Sequence, residues 1–282
     1  MGLRSWIKDK VDKFTGKKDY DRATEKLDKT RNKYEKKQKE YEKEAGEIIE
    51  TIGERVSAIN NIKVNIHLGL MADLVEILSF LKDIEIPKEL QEEAYKEQCK
   101  HLNDFVEIKS KGSLFQIDFD GHKVKTTFQA IFTLGFYTRK KAKETYYKVE
   151  EEEAAVKDAI KQMNGEIEKM KAALKSAENI EHYFREMARI FAKMLQYVNH
   201  AMNYVGYTAM RLSKTLKKGS ISVAVLPKRQ QQELEATITL AKTMSKLIRT
   251  KIIVQTENNN LSEYEKQMEN SYKETSSNPI YN

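Results

Sequence analysis

Apolar side chains recur every seven residues along two long stretches of this 282-residue chain. In the first stretch they are Leu27, Tyr34, Tyr41 and Ile48, with a companion series of Ala45, Ile52, Ile59 and Ile66. In the second stretch they are Val149, Val156, Met163, Met170 and Ala177. Such a repeat, sustained over several turns, is typical of helices that pair as coiled coils. The spacing predicts long helices over about 19–81 and from about Thr138 onward, with a change of register after Ala177.

Few residues interrupt these predicted helices. The chain has only three prolines and 11 glycines, whereas 33% of its residues are charged and 40% are apolar. That composition favours long solvated helices over a loop-rich domain. The sequence therefore predicts a mainly α fold, an elongated helical bundle with long coiled-coil helices. The apolar seams could close within the chain or against a second copy, and the sequence leaves both arrangements open.

One segment departs from the helical period. Around Asp120 and Gly121 the apolar residues alternate, as in two strands joined by a tight turn. We therefore predict a small β-hairpin insertion at 114–128. Its apolar face carries Phe115, Ile117, Phe119, Val124 and Phe128. An isolated hairpin is marginally stable in water, so this face must cover something, either the bundle or a membrane.

The N-terminal segment 1–18 is basic and amphipathic. Its six Lys/Arg and two Asp residues give it a charge of +4. The apolar face of the predicted helix 3–14 is formed by Leu3, Trp6, Ile7, Val11 and Phe14. Apolar rings beside cationic side chains are what a helix needs to lie on an anionic membrane. We expect this segment to dock onto a membrane surface or a partner protein, or else to cap the bundle.

A second basic region spans 211–251, with ten Lys/Arg against two Glu. The residues that could bind an anionic surface are Arg211, Lys214, Lys217, Lys218, Lys228 and Arg229. Nucleic acid is a less favoured partner because the region has no aromatic side chain on which bases could stack. The alternative is a basic face that pairs with acidic helices of the same bundle.

Nothing in the sequence predicts catalysis. The chain has one cysteine, Cys99, and five histidines that do not cluster with other metal-ligating residues. Phosphate-binding, zinc-protease and hydrolase motifs are all missing from it. We therefore expect no catalytic residue, metal site, cofactor or small-molecule substrate. With no secretory signal and no apolar stretch of spanning length, we expect a cytoplasmic protein that can bind membranes peripherally.

Together these patterns predict three parts: segment 1–18, a bundle over 19–274 that carries the hairpin, and a flexible tail at 275–282. A short strand is expected at 221–225 and a single last helix at about 229–272. The predicted function is that of a non-catalytic coiled-coil interaction protein that binds a partner chain or a second copy. Long helices with an apolar β-tongue are also the plan of α-helical pore-forming toxins, so a pore-forming or membrane-remodelling protein is one alternative. A nucleic-acid-binding accessory protein is another.

Overall fold

The computed structural model describes residues 17–90, 139–213, 221–250 and 261–281. Its α-helices are α1 (Lys17–Asn65), α2 (Met71–Ser79), α3 (Arg139–Ser213), α4 (Lys228–Arg249) and α5 (Leu261–Ser277). A π-helical turn, Ile66–Leu70, joins α1 to α2, and 3-10 turns occur at Lys88–Leu90 and Val223–Val225. The predicted helical bundle is confirmed. No strand occurs within these ranges, and the predicted hairpin 114–128 and helix 3–14 both lie outside them.

Contacts divide the chain into two compact units. The first comprises Met1–Ile49 and Phe115–Lys171, and the second comprises Glu50–Leu114 and Ala172–Asn282. In the first unit, α1 and α3 pack along the predicted seams. Ala23, Leu27, Val149 and Val156 form a buried cluster, with Tyr34 and Ile160 packed against it. These seams therefore close within one chain.

Helix α3 keeps one seven-residue column buried from Val149 to Val205. The column continues past Ala177 through Phe184, Phe191, Val198 and Val205, all buried. The predicted change of register is therefore wrong for this column. A second apolar series of α3 does change its position relative to this column. Ile160, Ile167 and Leu174 lie four positions after members of the column, whereas Met187, Met194 and Ala201 lie three positions after them. A strict seven-residue repeat needs no bend, and α3 runs through the position as an uninterrupted helix.

In the second unit, α3, α4, α5 and the last turns of α1 share a core. Its largest fully buried side chains include Tyr264, Phe184, Phe191 and Ile52. The rings of Phe184 and Tyr264 lie 6.3 Å apart, and Tyr183 lies 5.4 Å from Tyr272. Here the apolar stripe of α1 is wider, because Val56 is buried beside Ile52 and Ile59 of the predicted series. Such a stripe can contact more than one neighbouring helix.

The C-terminal part differs from the sequence prediction in three places. The expected strand at 221–225 is only a single bridge between Ile221 and Leu81, followed by the 3-10 turn that Ser222 caps. The expected single last helix is interrupted, because Thr250 is extended and ends α4. The tail expected to be flexible is instead packed. Helix α5 continues through Thr275, and the buried Tyr281 donates a hydrogen bond of 2.9 Å to the Ala236 carbonyl.

Candidate functional site

Most residues singled out from the sequence lie outside the described ranges. This holds for the N-terminal apolar face, the hairpin face and Lys214, Lys217 and Lys218. Arg211 lies within α3, whereas Lys228 and Arg229 form the first turn of α4. Arg229 is 88% exposed and pairs with Glu233 at 3.0 Å. Arg229 is thus paired within its own helix, and the described residues do not bring the predicted basic side chains together into one surface.

Helices α1 and α3 run parallel in the first unit. Lys26 pairs with Glu153 at 2.8 Å, and Glu44 pairs with Lys171 at 2.9 Å. In both pairs the residue of α3 lies 127 positions after its partner in α1, so the two helices advance in the same direction. The first residues of both helices, Lys17 and Arg139, therefore lie at the same end of this pair.

Charged side chains flank the seam of the first unit. The pKa of Glu153 is lowered by its hydrogen bonds from Lys26 and from Lys157. The pKa of Lys171 is raised by its hydrogen bond to Glu44. Ion pairs this exposed contribute little to stability, but oppositely charged flanks penalise a shifted register. Their main effect is to fix which residues of α1 and α3 face each other.

The second unit contains a buried lysine just before the π-helical turn. Lys63 is 1% exposed and lies in the same widened stripe as Val56, seven residues earlier. Its Nζ donates a hydrogen bond of 3.0 Å to the Thr250 carbonyl at the end of α4. The same Nζ lies 5.6 Å from the ring centre of Phe184 and 5.2 Å from that of Tyr264. Both rings offer a cation a favourable face.

The end of α4 explains why a lysine is found in this core. The last carbonyls of a helix lack intrahelical partners and carry partial negative charge. Lys63 binds the Thr250 carbonyl, and the Tyr264 hydroxyl donates a hydrogen bond of 2.6 Å to the Leu247 carbonyl. Burial nevertheless disfavours the charged amine and lowers the pKa of Lys63 to about 7. Burial raises the pKa of Tyr264, so its hydroxyl remains a donor.

A cleft of about 760 Å³ begins at the last residue of the π-helical turn. It lies between Leu70 and α2 on one side and the 192–206 part of α3 on the other. Its apolar lining comes from Leu70, Ile77, Phe80, Ala192, Leu195 and Met202. Single-turn π-helices are frequent at functional sites, and the volume lies within the usual range of binding pockets. This cleft is the candidate functional site.

The two edges of the cleft differ in chemistry. Asp73 and Glu76, one turn apart on α2, are exposed and supply the only charged groups among its described lining residues. The α3 edge carries the side-chain amides of Gln196, Asn199 and Asn203. An apolar floor beside two carboxylates suits a ligand that is both apolar and cationic, and the amides can donate or accept hydrogen bonds.

Sequence reasoning missed both Lys63 and the cleft. A signal for Lys63 was present, because it lies four residues after Ile59 and three before Ile66, on the apolar face of α1. The cleft had no comparable signal. It depends on how α2 packs against α3, and its carboxylates look like any other solvated pair in a chain rich in charge.

Known proteins offer no guide to this site. Comparisons with protein-family models, with curated proteins and with solved structures found no match. Among the described residues, no helix combines the length and apolarity needed to cross a bilayer. The same residues hold no group of His, Cys, Asp and Glu side chains arranged to bind a metal ion.

Proposed function

We propose that this chain is a non-catalytic coiled-coil interaction protein whose helical bundle docks onto a membrane surface or a partner, through the end of its first unit where α1 and α3 begin. The parallel pairing of α1 and α3 carries this proposal. Segment 3–14 lies just before Lys17, and the apolar stretch 114–137 lies just before Arg139. The N-terminal ends of α1 and α3 lie at the same end of the helix pair. Each of the two apolar segments is therefore joined in sequence to that end.

Two apolar segments at one end bind more strongly than either would alone. Interfacial binding grows with the apolar area buried and with attraction between cationic side chains and anionic lipids. The predicted helix 3–14 supplies a tryptophan and flanking lysines, and the predicted hairpin supplies aromatic residues. Once tethered side by side, each segment raises the effective concentration of the other at the surface.

Membrane insertion is the second candidate, and the same arrangement favours it. The pore-forming alternative requires both apolar segments to enter lipid together, which parallel helices allow. Surface docking leaves the bilayer intact, whereas insertion releases a trapped dye. Release of dye from anionic vesicles would therefore favour the pore-forming alternative, and binding without release favours docking.

Trp6 is the only tryptophan of the chain, so its fluorescence reports on the docking segment directly. We expect anionic phosphatidylserine vesicles to shift Trp6 emission to shorter wavelength, and neutral phosphatidylcholine vesicles to shift it less. Replacing Ile7 and Val11 with Asp should lower vesicle co-sedimentation by about tenfold or more, since two apolar side chains can no longer be buried.

The matched control is Asn32→Asp with Asn61→Asp, which adds the same charge at two exposed positions of α1. This control should bind vesicles as the unaltered chain does. Docking through this segment would be contradicted by either of two results. One is vesicle binding by the Ile7/Val11 variant equal to that of the unaltered chain. The other is a Trp6 emission spectrum that changes neither with anionic vesicles nor with any protein partner tested.

A further inference from the structure

We infer that the acid-edged cleft of the second unit receives the N-terminal segment 3–14 of a second copy of this chain. The inference rests on the proposed function, because it names a partner for the same docking segment. It starts from the described lining of the cleft, where Asp73 and Glu76 are the only charged groups. Both are exposed in the single chain, so another chain can reach them.

Charge complementarity is the first argument for this occupant. Residues 1–18 carry +4, and Lys10 and Lys13 lie on or beside the apolar face of the predicted helix. A helix that lays its apolar face in the cleft would bring these lysines towards the carboxylates. Opposite charges at the edge of an interface increase its rate of formation and select orientation.

The apolar pattern is the second argument. A helix that docks in a groove anchors itself through residues spaced by three, four and seven or eight positions. Leu3, Trp6, Ile7, Val11 and Phe14 have this spacing. The floor formed by Leu70, Ile77, Phe80, Leu195 and Met202 offers apolar contacts for them.

Size is the third argument. Twelve helical residues span roughly 18 Å, and the 192–206 wall of the cleft, 15 residues long, spans roughly 22 Å. The segment therefore fits along the wall as one helix. Because the cleft and the segment are different surfaces, the contact is heterologous, and each copy both offers a segment and accepts one.

The test uses the full chain without vesicles. As protein concentration rises over about two orders of magnitude, Trp6 emission should move to shorter wavelength while the mass measured by light scattering rises above that of one chain. Asp73→Lys with Glu76→Lys should weaken this association at least tenfold. Glu47→Lys with Glu50→Lys, at the same spacing on exposed positions of α1, is the matched control and should leave it unchanged.

Mixing two variants separates contact between copies from every other cause. Lys10→Glu with Lys13→Glu reverses the charge of the segment, and Asp73→Lys with Glu76→Lys reverses the charge of the cleft, so neither variant should self-associate. A mixture of the two should associate, because the segment variant has an intact cleft and the cleft variant has an intact segment. Asp73→Asn with Glu76→Gln, which keeps side-chain size, should weaken association in the same direction if the lysine variant fails to fold.

Three results would overturn the inference: a single-chain mass at every concentration, association that the cleft variants leave unchanged, or a mixture that stays monomeric. None of them depends on vesicle binding. If the unaltered chain keeps the mass of one chain at every concentration while anionic vesicles still shift its Trp6 emission, the docking function stands and the second copy is not the partner. If neither self-association nor the shift of Trp6 emission occurs, both proposals fail.

Discussion

Replacing Phe184 with alanine should lower the free energy of unfolding by about 3–5 kcal/mol, the usual cost of removing a buried phenylalanine. Phe184 is 0% exposed and continues the seven-residue column of α3. It contacts the ring of Tyr264 and lies beneath the Lys63 amine. Its loss therefore opens a cavity where α1, α3 and α5 meet. Urea denaturation followed by circular dichroism measures the change.

Tyr204→Ala provides the control on the same helix, because Tyr204 is 74% exposed. Its effect should stay within about 0.5 kcal/mol, as for most surface substitutions. A loss below about 1 kcal/mol for Phe184→Ala would show that this ring does not lie in a packed core. The second unit would then require a different helix arrangement.

The stability of the chain should rise by about 2 kcal/mol between pH 7 and pH 9, and Lys63→Met should abolish most of that rise. The folded-state pKa of Lys63 is about 7, against an ordinary value of 10.5. Between these values the unfolded chain binds more protons than the folded chain, so raising the pH favours folding. Below pH 7 the Lys63 amine is protonated in both the folded and the unfolded chain. The full free-energy cost of burying its charge then lowers the stability of the folded chain.

The measurement is the free energy of unfolding at several pH values between 7 and 9.5. This window ends below the ordinary tyrosine pKa of 10, so most tyrosines of the unfolded chain are still protonated within it. Above about pH 10 the raised pKa of Tyr264 acts in the opposite direction, since the unfolded chain then loses a proton that the folded chain keeps. Lys29→Met, at a side chain that is 75% exposed, is the control and should keep the slope. If the free energy of unfolding of the Lys63 variant rises with pH as steeply as that of the unaltered chain, a buried amine at this position is contradicted.

The sequence predicts the buried columns of the helices well, because apolar spacing reports directly on burial. Leu27, Ile48 and Val156 are buried as the repeat requires. Periodicity does not say which helix packs against which, since the same seam can close within one chain or between two. The parallel pairing of α1 and α3 becomes visible only through pairs such as Lys26 with Glu153.

Exceptions to the pattern arise where tertiary contacts outweigh local preference. Lys63 is buried although lysine is normally exposed, because the end of α4 supplies a carbonyl and two rings face the amine. Helix α4 ends at Arg249 without a glycine or proline, next to carbonyls that bind Lys63 and Tyr264. Neither partner is adjacent in sequence, so neither feature follows from periodicity.

The parallel arrangement of α1 and α3 can be measured by cross-linking within the first unit. In a Cys99→Ser background, cysteines replace Lys26 and Glu153, whose charged groups lie 2.8 Å apart. A short thiol cross-linker should join them in dilute solution at the mass of one chain. The control pair, Lys26 with Lys169, lies roughly 24 Å further apart along parallel helices and should stay unlinked. Cross-linking of the control pair, or products only at twice the chain mass, would contradict a parallel pair closed within one chain.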